Sequence, residues 1–237
     1  MENPGRRRFL TTMGAAAALS APAKPSGGKL RIGIFGTQHG HVQSKLRALK
    51  GLDEFEVAAI HEPDDALRRR RQSEELFAGL DWVSEEALLG DSSIQMAVVE
   101  CRIWDAIPWG AKVLAAGKQL HLEKPPSPDM ASFAGLVEQA RRKRLLLQLG
   151  YNYRFHPCIT SALDAAREGW LGDVYMLRAT MNSDRGPAQR QLEVAYPGGA
   201  FFELAGHMVD RAAELFGRPS RVHGFLRHDT GIDDKQP

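Results

Sequence analysis

Short apolar runs alternate with amphipathic stretches from residue 29 to residue 150. Residues 30–36 (LRIGIFG) read as a strand ending at a glycine, 55–60 (FEVAAI) as a second and 96–99 (MAVV) as a third. Residues 119–122 (QLHL) and 145–149 (LLLQL) add two more. Between them the spacing predicts helices over 41–49, 64–77, 107–116 and 130–143, the third capped by Gly117. Strand–helix alternation of this kind predicts an α/β fold, a parallel sheet with helices on both faces. The pattern changes at Gly150. Pro157 suits the first turn of a helix running toward Arg167. Residues 174–181 and 221–226 read as strands, and 201–216 as one helix stopped by Gly217. The basic runs 68–71 and 141–144 read as solvated helix surface, the second also suited to a helix C-terminus, where the macrodipole favours cations.

The first 23 residues stand apart. A basic start (Arg6, Arg7, Arg8), a mildly apolar stretch over 9–19 and a small-residue end (Ala21-Pro22-Ala23) have the layout of a signal peptide. Arg6-Arg7-Arg8-Phe9-Leu10 resembles a twin-arginine signal, which implies a bacterial protein exported to the periplasm. Residues 24–28 then form a linker. Without residues 1–23 the chain holds 28 basic and 28 acidic residues, so its total charge carries no nucleic-acid or anionic-membrane footprint. No segment approaches the ~20 apolar residues that a membrane-spanning helix needs. Two cysteines, Cys101 and Cys158, make no disulfide framework. Without a Cys-x-x-Cys or a Cys/His cluster, no metal site is expected.

Candidate chemistry collects where predicted strands end. In an open α/β sheet, ligands bind outside the carboxyl ends of the strands. Glu123-Lys124-Pro125 follows the strand over 119–122 and sets a lysine there, flanked by a carboxylate, able to move a proton or polarise a hydroxyl. The turn Gly36-Thr37-Gln38-His39-Gly40-His41 stands where a dinucleotide fingerprint has G-x-G-x-x-G, but keeps only the first glycine in place. Glu62, after the second strand, is placed to bind a ribose 2′-hydroxyl and so to favour NAD over NADP. On one continuous helix, Glu203, His207, Asp210 and Glu214 fall within about 60° of one another, an acid–histidine stripe able to face a cleft or, equally, solvent.

Taken together these segments resemble the glucose–fructose oxidoreductase and inositol dehydrogenase (Gfo/Idh/MocA) family. The resemblance rests on Gly36, on Gly117-Lys118-x-x-His121-Leu122-Glu123-Lys124-Pro125, on residues 150–157 (GYNYRFHP), on 169–174 (GWLGDV), and on Gly198-Gly199 leading to Gly206-His207-Met208-Val209-Asp210. It implies a Rossmann-type NAD(P)-binding domain over 29–150, then an α/β domain with an open, mainly antiparallel sheet. The second domain, 151–237, reads as partial for this family.

The resemblance also implies the chemistry. Lys124, His207 and Glu203 would be catalytic, with Glu203 orienting His207. Gly36, Thr37, Gln38, His39, Gly40, His41, Glu62, Glu123 and Lys124 would hold NAD or NADP, and Tyr153, Arg154, His207 and Asp210 a sugar, cyclitol or related polyol. Self-association would run through the C-terminal sheet. Glu203 stands where the family has aspartate, and Glu100-Cys101-Arg102-Ile103 where it has Thr-Pro-Asn. Those departures define two rivals: a non-catalytic nucleotide- or sugar-binding member, and a non-redox sugar-processing enzyme.

Overall fold

The computed structural model describes residues 28–184, 186–187, 196 and 198–225; the signal-like residues 1–23 lie outside them. Five parallel strands form one sheet in the order β2-β1-β3-β4-β5. They are β1 (Leu30–Phe35), β2 (Phe55–His61), β3 (Met96–Val99), β4 (Gln119–Leu122) and β5 (Leu147–Leu149). Ile32, Ile34, Phe35, Ala97, Val98 and Val99 are buried in β1 and β3. Continuous apolar runs of this kind belong to strands covered on both faces. One cover centres on Phe35, Val113, Leu114, Leu120 and Leu136, the other on Ile34, Val42, Leu46, Ile60 and Phe77. The strand order reverses at β1, which has β2 on one side and β3 on the other, so a crevice opens between the ends of β1 and β3.

The helices start where side chains can satisfy their free N–H groups. These are α1 (Val42–Lys50), α2 (Asp65–Gln72), α3 (Glu85–Gly90), α4 (Ile103–Ala115) and α5 (Met130–Lys143). Asp64, Ser84 and Asp129 cap α2, α3 and α5. The helix expected over 64–77 ends at Gln72 and gives way to a 3₁₀ turn, Glu75–Phe77, that buries Phe77. Helix α4 starts four residues earlier than expected, because Ile103 and Ala106 are buried ahead of Pro108. The sequence reading missed α3, whose Leu88 packs where a Cβ on Gly33 would stand 2.5 Å away. Arg71 also departs from expectation. Instead of facing solvent it donates to the Thr37 carbonyl at 2.9 Å, pairs with Glu74 and lies over the Phe77 ring.

After Leu149 the described residues contain helices and no strand. A 3₁₀ turn (Asn152–Phe155) leads into α6 (Pro157–Arg167), and later come α7 (Gly199–Leu204) and α8 (Gly206–Phe216). Residues 174–181 and 221–225, expected as strands, carry no ladder, and residue 226 lies outside the described residues. A strand is held by a hydrogen-bonding neighbour. None is present for either segment among the described residues, and Tyr175, Val222 and Phe225 are 91%, 80% and 95% exposed. The expected antiparallel sheet, and self-association through it, therefore have no basis here.

Candidate functional site

Strand β4 delivers the site. Leu122 is in the core, and the next two residues turn into the crevice while staying buried, Glu123 at 5% and Lys124 at 3% exposure. The Lys124 ammonium donates to Glu203 Oε1 at 2.6 Å and to the Glu203 carbonyl at 3.1 Å. The second bond explains why the helix expected over 201–216 is two. An uninterrupted helix would give that carbonyl to the His207 N–H. Lys124 takes it instead, and the helix breaks at Ala205.

The expected pairing of Glu203 with His207 is replaced by this Glu203–Lys124 pair. His207 sits between two tyrosines, stacked on Tyr153 at 4.6 Å and edge-on to Tyr151 at 5.5 Å. A Cβ on Gly206 would stand 2.8 Å from the Tyr151 hydroxyl, so glycine lets α8 meet that ring. Burial, then the nearby Lys124 charge, lower the His207 pKa. Its Nδ1 is buried with no hydrogen-bond partner among the described residues. Burial chiefly, with Asp210, Glu203 and Glu123 adding, raises the Tyr151 hydroxyl.

The rest of the predicted acid–histidine stripe is spent on ion pairs. Asp210 accepts two bonds from Arg154, at 2.5 and 3.0 Å, and pairs with Arg211. Glu214 pairs with Arg167 and Arg211. Tyr153 lies against His207, whereas Arg154 and Asp210 neutralise each other at the edge.

The glycine turn after β1 is tight. Gly36 has φ +78°, and a Cβ there would stand 2.9 Å from the Trp109 ring and 3.2 Å from Cys101 Cα. Thr37 donates to Glu62 through N and Oγ1, at 2.7 and 2.8 Å. The N–H groups of Gln38 and His39 both donate to the Glu100 carbonyl, at 3.1 and 3.0 Å. Three consecutive donors that a diphosphate would use are thus engaged within the chain. Gly40 has open space where a Cβ would stand, and His41 precedes α1. Glu62 differs from its expected role as an open ribose acceptor: it is 1% exposed and also accepts from Asp64 N at 3.0 Å. It forms part of the wall of a cleft shared with His61, Pro63, Arg68, Gln72 and Trp82.

Two carboxylates close the middle of the crevice. Glu100 is fully buried and Glu123 nearly so, and Lys45 bridges them, bonding Glu100 Oε1 and Glu123 Oε2. Burial pushes the Glu100 carboxyl up to about 7, against the pull of Lys45 and with the Glu123 charge adding to it. Burial also opposes ionisation of Glu123, but His41, Lys45 and His39 together hold it below the usual carboxylate range. Burial lowers His39 to about 4, so it is neutral near pH 7. Where no metal cluster was expected, ligand atoms of His39, His41 and Glu123 lie within 4.8 Å of one another. Sequence distance hid this: Lys45 and Glu123 are 78 residues apart.

Residues 159–236 match the model of the GFO/IDH/MocA C-terminal domain. The chain is 28% identical over 211 residues to a dTDP-3,4-didehydro-2,6-dideoxy-alpha-D-glucose 3-reductase of Streptomyces violaceoruber, covering 86% of this chain and 60% of that one. Over residues 159–236 the chain is thus similar to the Gfo/Idh/MocA family. Among solved structures it is similar to KijD10, a 3-ketoreductase from Actinomadura kijaniata in complex with TDP-benzene and NADP. There the TM-score is 0.52 and the identity 26%, over 60% of this chain and 44% of that one. The fold also matches a solved structure from Sinorhizobium meliloti with TM-score 0.66 and 20% identity, over 81% of this chain and 56% of that one. The chain thus spans 44% to 60% of the length of these relatives. No helix among the described residues is long and apolar enough to cross a membrane.

Proposed function

We propose that this chain carries the catalytic crevice of an NAD(P)-dependent oxidoreductase acting on a hydroxyl or ketone of a sugar, cyclitol or related polyol. The observation that carries the reading is the buried Lys124–Glu203 pair beside His207, at the carboxyl end of β4. The relatives support the reaction class, since one is named a sugar 3-reductase and another is a 3-ketoreductase complexed with NADP.

The residues suit a dinucleotide at both ends of the crevice. The cleft with Glu62, Arg68 and Trp82 suits the ribose and base, and the Lys124 end suits the nicotinamide. The middle suits it less, because the turn donors are engaged and two carboxylates stand there. When bound, NAD(P) supplies the hydride acceptor or donor. Lys124 gives two donors to Glu203 and keeps a third for the substrate oxygen, where its charge stabilises an alkoxide. His207, neutral because its pKa is lowered, accepts the hydroxyl proton on oxidation and returns it on reduction. Glu203 holds Lys124 in place, and Tyr153 holds the His207 ring.

Lys124→Met should lower kcat by about 10²–10⁴-fold while leaving nucleotide affinity nearly intact; undiminished turnover would sink the role. The same titration tests the ribose end. A Glu62 carboxylate in the cleft wall favours NAD over NADP by repelling a 2′-phosphate, whereas Arg68 in that cleft acts the other way. Tighter binding of NADP than NAD would assign selectivity to Arg68. A chain that binds neither nucleotide is the non-catalytic member, the reading that the engaged turn donors favour. Export through residues 1–23 is also proposed. Arg6→Lys/Arg7→Lys should retain a periplasmic reporter in the cytoplasm, and unchanged export would discard the twin-arginine assignment.

A further inference from the structure

Two features of the crevice are unused by the proposed hydride chemistry. One is the pair of histidines in the turn, His39 and His41, the second of which stands where the fingerprint has its third glycine. The other is Glu100 Oε2, which belongs to a fully buried side chain and has no hydrogen-bond partner among the described residues. Leaving a buried carboxylate oxygen unpartnered is expensive, and such an atom calls for a ligand. It lies 3.7 Å from His39 Nδ1, and His41 Nδ1 lies 3.3 Å from Glu123 Oε1. In a tetrahedral site with metal–ligand bonds of about 2.0–2.2 Å, neighbouring ligand atoms stand about 3.3–3.6 Å apart.

We propose that His39, His41 and Glu123 form a binding site for one divalent transition-metal ion of the zinc or cobalt type, with Glu100 beside it, 3.7 Å from His39. Two imidazoles with carboxylate oxygens are a donor set such ions accept. Lys45 occupies Glu100 Oε1 and Glu123 Oε2, which leaves Glu100 Oε2 and Glu123 Oε1 on the histidine side. Glu123 Oε1 also accepts the Lys124 N–H at 2.9 Å, which fixes its direction. A second grouping, Glu100, His121 and Glu123, offers one imidazole instead of two.

The site does not need the nucleotide. One use of it rests on the oxidoreductase reading: a cation there would turn a carboxylate-lined gap into a seat for a diphosphate.

The experiment is a titration of the untagged, chelator-treated full chain with CoCl₂ followed by visible absorption, and with ZnCl₂ followed by calorimetry, both without nucleotide. One equivalent should bind, with the intense visible bands of tetrahedral cobalt. His39→Ala/His41→Ala should weaken binding more than about 100-fold, beyond the loss of an outer-shell contact. If that variant fails to fold, His41→Gln serves, since the His41 side chain is 48% exposed; it should cost about tenfold or more. Lys45→Met should tighten binding by removing the competing cation. No stoichiometric binding by the native chain would overturn the site. So would unchanged affinity in the histidine variants, including the case in which His121→Asn abolishes binding instead. Because nucleotide is absent, failure here leaves the oxidoreductase reading standing, and failure of nucleotide binding leaves the metal site standing.

Discussion

The two parts of this molecule on either side of Gly150 solve the same problem differently. Before it, every central strand has neighbours and a helical cover, and Ile32, Ile34, Phe35, Val99, Leu120 and Leu122 are within a few percent of full burial. After it, Arg154–Asp210 ties the 3₁₀ turn to α8 and Arg167–Glu214 ties α6 to α8, while Tyr175, Met176, Val222 and Phe225 face solvent. Sequence patterns that predict strands act only where a neighbouring strand completes the ladder. The catalytic candidates sit on the seam, with Lys124 from the sheet and Glu203 and His207 from the helices. Their geometry depends on the less buried half being held against the more buried one.

The comparison breaks first at single apolar side chains. Leu120 in β4 is fully buried, and Leu120→Ala should cost about 2–5 kcal/mol in denaturant unfolding. Val222, at 80% exposure, should tolerate Val222→Ala within about 0.5 kcal/mol. Similar losses at both positions would mean that the second part has a core these exposures do not reveal.

How much was legible in the sequence follows the same division. The strands β1, β2, β3 and β4 were readable to within a residue, because each is an apolar run bounded by glycine or polar turns. The Asp64 and Asp129 helix starts were readable from capping chemistry. Helix α3 was too short to show a period, though Ser84 before two glutamates was a usable signal. What was lost is long-range. The break at Ala205 is tied to Lys124, 79 residues from the Glu203 carbonyl that it takes, and Arg71 is drawn off the surface by Thr37. The wheel that grouped Glu203, His207, Asp210 and Glu214 gave the direction of the stripe. Its partners come from other elements, so it could not say that Lys124, two tyrosines and three arginines would divide it among themselves.

A middle-sized effect tests the buried carboxylates. Glu100 titrates near 7 when folded, against about 4.3 for an unfolded glutamate. Between those values the folded chain holds a proton that the unfolded chain has released. Stability from this group therefore falls as pH rises through that window, and the penalty is complete above it. Glu100→Gln removes the titration. Its stability relative to the native chain should improve between about pH 5 and pH 8, by about 1–3 kcal/mol. An equal difference at both pH values would mean that Lys45 fully compensates the burial.

The smallest effect sharpens the account of the second part. Arg154 and Asp210 form a two-bond pair, but the arginine side chain is 51% exposed. Burial alone would raise the Asp210 pKa, yet its bonds to Arg154 and Arg211 lower it. The stabilisation is therefore present above the unfolded aspartate pKa and is lost as pH falls through the folded value. Solvent screening keeps the pair weak, so a double-mutant cycle of Arg154→Ala and Asp210→Ala should give a coupling of about 0.2–1 kcal/mol at low salt. It should shrink with added NaCl. A coupling well above that range, insensitive to salt, would show that the pair is desolvated in solution and that α8 is anchored as firmly as the sheet. A coupling near zero would leave the stacking of Tyr153 on His207 as the contact that holds α8 at the catalytic seam.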